Sequence, residues 1–311
     1  MPKHNQEQFD DQFKSGSFHK KSKTLRYSSA LLLGSGRQWT RLAEEFGSNY
    51  QVIAPDISGY GDNRGPIDLP TTLAEEVSLL SDQIGQAEGP FHLVGHSYGG
   101  AIAFRIATRS PFAGRVRSLT LIEPVLPALL RESGADRRLH ELFAQFAHVL
   151  YVDLWNGQYM EAIDKFISFW NGSGPADKLS PEARLRMIEH AEKLAFDFTA
   201  VLAEENVTSA AAAIRVPTLL FSGGLSPYLA QRIVWRLASV IVGADARHLP
   251  AAGHMLPVSH ANLINPEIVR HILRADDLAE ISLASGLDAT ALDWTAHQEL
   301  GQARKQSRPT F

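Results

Sequence analysis

The sequence predicts an α/β architecture, a mostly parallel sheet flanked by helices with one helical insertion, and three observations carry that expectation. Short apolar runs at residues 30–33, 50–54, 91–94, 116–122 and 217–221 are each bounded by turn residues. Segments with apolar residues at helical spacing stand beside them, at 39–46, 73–84, 99–108 and 228–240. From about residue 127 to 213 the strand signals vanish and helical periodicity continues alone. Strands covered on both faces read as continuous apolar runs, and strand–helix alternation implies parallel pairing through right-handed crossovers.

Taken in order, residues 1–24 form a polar N-terminal segment of weak pattern, with an early strand expected around 24–27. The sheet and its helices are assigned to 25–126 and 214–275, and the insertion to 127–213. Within the insertion, Leu139, Leu142, Phe143, Phe146, Val149 and Leu150 mark one helical face. Met160, Ile163, Phe166, Ile167 and Trp170 mark a second helix. A third runs from Pro181, a favoured first helical residue, to about 204. A last helix is expected near 266–273, and residues 276–311 form a tail of mixed composition with no assigned function.

The composition bounds the function. A chain of 311 residues with 44% hydrophobic and 21% charged side chains can bury an extensive core. The net charge of -4 comes with no long single-sign run, so no nucleic-acid partner is expected. Cysteine is absent, which removes disulfides, thiolate chemistry and thiolate metal sites. The first residues lack the apolar stretch of a signal sequence, and no run approaches the roughly 18 apolar residues of a membrane span. The expectation is therefore a cytoplasmic protein without a membrane partner, its oligomeric state open. No metal constellation or dinucleotide fingerprint appears, so no cofactor is implied. Gly34-Ser35-Gly36 lacks the further glycine and acidic partner of a nucleotide loop.

The chemistry begins at Gly95-His96-Ser97-Tyr98-Gly99, a G-x-S-x-G sequence that follows an apolar strand and opens a helix of small residues. A serine hydroxyl is a weak nucleophile, and a tight strand-to-helix turn exposes it to a base and to backbone donors. Ser97 is the expected nucleophile. His96 is expected to pack rather than to catalyse. The base should be a neutral histidine that follows the serine in the chain. His254, in the loop Gly253-His254-Met255 before the last helix, fits better than His260, which lacks the preceding glycine.

From about Ala30 to Ala275 the order of these features resembles the α/β-hydrolase superfamily. Ala54-Pro55-Asp56-Ile57-Ser58-Gly59 resembles the turn after that family's fourth strand, and Ala251-Ala252-Gly253-His254 the loop of its catalytic histidine. The resemblance implies a triad acid, which most members place after the seventh strand. Here that segment reads Gly223-Gly224-Leu225-Ser226-Pro227, with serine in the carboxylate's place. A subset of the fold, including the haloalkane dehalogenases, takes the acid from the end of the sixth strand. That strand here ends Ile122-Glu123-Pro124, which makes Glu123 the favoured acid and Asp245 its rival.

The family's oxyanion hole implies the backbone N–H of Tyr98 as one donor and that of Ser35 as the other. Leu33 stands where the family has histidine, and the loop to Trp39 is short. The insertion resembles the family's helical cap. Its aromatic residues Phe143, Phe146, Tyr151, Trp155, Phe166, Phe169 and Trp170 are mostly core, with a minority expected to line an apolar pocket. The implied partner is a small-molecule acyl substrate, an ester, a lactone or a related compound. A ligand-binding relative without catalysis and an acyltransferase are the alternatives.

Overall fold

Ser28–Leu33 (β1), Tyr50–Ile53 (β2), Phe91–His96 (β3), Val116–Ile122 (β4), Thr218–Gly223 (β5) and Asp245–Leu249 (β6) pair in parallel throughout, in the spatial order β2-β1-β3-β4-β5-β6. The computed structural model describes residues 28–60, 63, 70–171 and 181–285. Residues 1–27, including the strand expected at 24–27, and residues 286–311 lie outside the described residues.

The side-chain period of two sorts the strand residues into two cores. Leu31 and Leu33 of β1, Leu93 of β3, Leu119 and Leu121 of β4 and Leu220 of β5 face one side. There they meet Leu73–Leu79 (α2), Ser81–Gly85 (α3), Ser97–Arg109 (α4) and Tyr228–Val240 (α11). Ala30, Leu32, Val94, Ile122, Leu219 and Phe221 face the other side, against Thr40–Phe46 (α1), Leu256–Ser259 (α12) and Ala261–Ser285 (α13). Both faces are covered, which is why these strands read as unbroken apolar runs.

The long crossover from β4 to β5 holds Ala128–Arg131 (α5), Arg137–Trp155 (α6), Tyr159–Asn171 (α7), Pro181–Glu189 (α8), Ala191–Ala203 (α9) and Val207–Ala212 (α10). Phe143, Phe146, Phe166, Phe169, Trp170 and Phe198 pack ring against ring inside this layer. Tyr151 and Trp155 instead stack on each other at the surface, with Trp155 78% exposed.

Several boundaries differ from the sequence expectation, each for a local reason. The segment 73–84 is two helices with a break at Leu80, and 181–204 is two with a break at His190. β6 carried no strand signal because it is a half-exposed edge strand bearing Asp245, Arg247 and His248, and charge on an edge discourages pairing with other chains. α13 starts earlier than expected and continues through the first ten residues assigned to the tail, to Ser285. Its far half is tied down by polar contacts: Asp276 accepts hydrogen bonds from Tyr50 Oη and Arg117, both at 2.7 Å, and lies 3.3 Å from the buried His92.

Candidate active site

β3 passes into α4 without a loop, and the joint is Ser97 at φ 55, a left-handed conformation that costs a non-glycine residue energy. The neighbours must be glycine for want of space. A Cβ on Gly99 would sit 2.3 Å from the Leu33 carbonyl oxygen, and one on Gly95 would sit 2.5 Å from that of Gly99. The turn is thereby pressed against the end of β1. Gly99→Ala is expected to lower the unfolding free energy by about 1–3 kcal/mol, as overpacking does, read as the midpoint shift in chemical denaturation.

His254 reaches the same point from the loop after β6. Its Nε2 lies 2.9 Å from Ser97 Oγ and its Nδ1 lies 2.7 Å from Glu123 Oε2. An ionised carboxylate only accepts, so Nδ1 carries the proton and donates to Glu123. The lone pair of Nε2 is left facing the serine hydroxyl. Glu123 is wholly buried and sits at φ 43 immediately after β4. Its second oxygen, Oε1, accepts from the Gly223 N–H at 2.6 Å. The end of β5 thus contributes a backbone donor that holds the carboxylate, and Ser226, at the position expected of a family acid, has a buried hydroxyl with no partner.

The rivals lie elsewhere. Asp245 opens β6 at the end opposite the His254 loop and pairs with Arg247. His260 bonds to Ser259 at the surface.

Two residues that the sequence did not single out for the site fix His254 in place. His96 Nε2–H donates to the His254 carbonyl oxygen at 2.8 Å, and the Trp170 ring of α7 stacks on the imidazole with centroids 4.1 Å apart. Burial, with His254 beside it, pushes the His96 imidazole down to about 3, so it stays neutral. An unfolded chain takes up a proton near pH 6.5 that folded His96 refuses. Its contribution to stability is therefore complete above about pH 6.5 and is lost progressively as the pH falls toward 3. His96→Gln, which keeps a donor but does not titrate, is expected to flatten the fall of Tm between neutral and mildly acidic pH.

The loop after β1 lies beside the Ser97 turn. Gly34 bridges to Asp56, and Asp56 Oδ1 accepts from the Gly36 N–H at 2.8 Å, which pins Ser35 between two anchored residues. Leu33, at the place of the family histidine, is fully buried as the last residue of β1. Tyr98 is the second residue of α4, where backbone N–H groups have no partner within the helix.

A model of the alpha/beta hydrolase family matches residues 30–266. The chain belongs to this family. Among its relatives, this hydrolase is 28% identical over 252 residues to a putative carbamate hydrolase, RutD, of Klebsiella pneumoniae, which covers 76% of this chain and 86% of that one. It is 38% identical over 92 residues to the lipase LipV of Mycobacterium tuberculosis, a match that spans 29% of this chain and 33% of the lipase. Among solved structures, MenH from S. aureus superposes with a TM-score of 0.61 at 21% identity, over 80% of this chain and 94% of that one. An esterase from Exiguobacterium antarcticum does so with a TM-score of 0.62 at 15% identity, over 79% and 91%. At those identities the structural likeness is one of fold.

In this hydrolase Ser97 opens onto a small cleft roofed by the β4–β5 helices. Val125, Phe166, Trp170, Leu194, Phe198 and Val201 give it apolar walls, and Tyr60, Tyr98 and Asp197 give it a polar side. No described helix is long and apolar enough to cross a membrane.

Proposed function

We propose that this hydrolase cleaves a small hydrophobic ester, lactone or similar acyl compound through an acyl-enzyme on Ser97. The observation that supports this most is the continuous hydrogen-bonded line from Ser97 Oγ through both nitrogens of His254 to the buried Glu123. In the first half-reaction His254 Nε2 takes the Ser97 proton while the serine oxygen bonds to the substrate carbonyl carbon. Glu123 holds the imidazole in the correct tautomer and stabilises the imidazolium. The carbonyl oxygen, now negative, is received by the N–H groups of Tyr98 and Ser35, each worth about 2.7–4 kcal/mol in comparable sites. The N-terminus of α4 adds its positive dipole end. As the bond to the leaving alkoxide breaks, His254 returns its proton to it. Water then attacks the acyl-serine with His254 again as base, releasing the acid and restoring Ser97.

The helices α5–α10 act in this account as a cap that excludes water and shapes the substrate pocket. The apolar walls around Ser97 support a hydrophobic acyl or alcohol group. The carbamate hydrolase relatives make carbamates part of the substrate panel, beside esters, lactones and amides.

A fluorophosphonate probe tests the reading. It is expected to label the wild type and to leave Ser97→Ala unlabelled. Failure to label the wild type would favour a ligand-binding role, the alternative that a fold alone never excludes. Ester consumption without stoichiometric free acid would point to transfer onto an acceptor other than water.

A further inference from the structure

Three charged side chains are buried beside the cleft, and the chemistry described above uses none of them. Lys193 and Asp197 stand one turn apart on α9, and Glu76 comes from α2; none is more than 5% exposed. Lys193 Nζ donates to Glu76 Oε1 at 2.5 Å and to Asp197. Tyr60 Oη donates to Asp197, and Tyr98 Oη donates to Glu76 at 3.0 Å. The remaining face of the Lys193 ammonium lies over the Tyr98 ring, 4.8 Å from its centroid.

The position of Asp197 is unexpected for a structural ion pair. Leu194, Asp197, Phe198 and Val201 occupy the helical face of α9 that lines the cleft, so a carboxylate replaces one member of an apolar stripe. Burying it is costly unless something compensates. The compensation in place is incomplete. One ammonium serves two carboxylates, and Glu76 Oε2 is buried with no partner. Burial pushes Tyr60 and Tyr98 well above their ordinary range, so both phenols stay neutral. Burial also raises Asp197 to about 6, which leaves it ionised at neutral pH and above. The group then carries one negative charge in excess. All the donors named are directed at the carboxylates, and of this group Asp197, Tyr60 and Tyr98 line the cleft together with Phe166, Trp170 and Phe198.

We propose that this polar side of the cleft, centred on Asp197, recognises a protonated amine carried by the substrate. Its aromatic neighbours present ring faces to the cation, and the carboxylate accepts its N–H bonds. The inference rests on the serine-hydrolase reading for its place in the reaction and narrows the substrate class to acyl compounds bearing a cationic nitrogen away from the scissile bond. Lys193 is the counter-charge that keeps Asp197 ionised and aimed, and does not itself meet the substrate.

The test compares p-nitrophenyl 6-aminohexanoate with p-nitrophenyl heptanoate in mildly alkaline buffer, where Asp197 is ionised and an alkylamine is still protonated. Wild type is expected to favour the amino ester by about tenfold or more in kcat/KM, and Asp197→Asn to reduce that ratio by at least as much. Equal turnover of the two esters by wild type, or an unchanged ratio in Asp197→Asn, overturns the proposal. Because Asp197→Asn removes one of the two carboxylates that hold the buried Lys193 ammonium and can impair folding, a second measurement uses Ser97→Ala with no turnover at all. n-Pentylammonium is expected to raise its Tm more than n-pentanol at equal concentration, and equal shifts overturn the proposal. This arm also separates the two readings. Absence of both ester turnover and fluorophosphonate labelling defeats the hydrolytic mechanism, while the Tm comparison still decides whether the cleft selects an amine.

Discussion

Glu123→Gln is expected to lower kcat about 10⁴-fold on a p-nitrophenyl ester while leaving Tm within a few degrees of the wild type. The size follows from the tautomer. A glutamine amide in that place can offer its N–H to His254 Nδ1, which favours the imidazole with its proton on Nε2, the wrong nitrogen for receiving one from Ser97. The developing imidazolium also loses its counter-charge in a site where Glu123 is wholly buried. The glutamine keeps an oxygen for the Gly223 N–H, so the fold retains that contact. Asp245→Asn serves as the control. Asp245 pairs with Arg247 at the far end of β6, and its replacement is expected to leave kcat within about twofold. A collapse of kcat in Asp245→Asn with Glu123→Gln active would reverse the assignment of the acid.

The largest effect belongs to Ser97 and His254. Either replaced by alanine is expected to lower kcat about 10⁶-fold, and the double replacement no further, because the two act as one unit. What then remains over the uncatalysed rate reflects the oxyanion donors and substrate binding alone. Additive losses in the double variant would mean that the hydroxyl and the imidazole work independently, against the 2.9 Å contact between them.

The sheet was legible in the sequence wherever both faces of a strand are buried. Leu31 to Leu33 are buried and wholly apolar, Leu119 to Ile122 are buried with Thr120 as their one polar residue, and such runs announce themselves. β6 escaped because Asp245, Arg247 and His248 satisfy an edge rather than a core. The breaks at Leu80 and His190 escaped because an apolar stripe continues across them. Ser97 was legible because a left-handed serine between two crowded glycines demands a fixed local sequence. The environment of Glu123 was only half legible. Its place at a strand end can be read from Ile122-Glu123-Pro124, but the Gly223 N–H that supports it lies a hundred residues away and is backbone, which no sequence pattern records.

The same distance hid the remaining parts of the site. Trp170 reads as one apolar residue of an amphipathic helix, and only the fold lays its ring on His254. His96 reads as the variable residue of its motif, although its donor holds the loop of a histidine far along the chain. Asp197 carried a faint signal, a charge at an apolar position of α9. Its meaning depends on Lys193 one turn before it on the same helix and on Glu76 and Tyr60 arriving from two other segments.

If a covalent bond forms and breaks at the Ser97 hydroxyl, rapid acid quench of the enzyme turning over a p-nitrophenyl ester, followed by mass spectrometry of its peptides, traps it. The mass of the acyl group is expected on the peptide that carries Ser97, appearing within the burst of p-nitrophenol and absent from Ser97→Ala. Sustained turnover with no acyl adduct on that peptide, or undiminished turnover by Ser97→Ala, would contradict it.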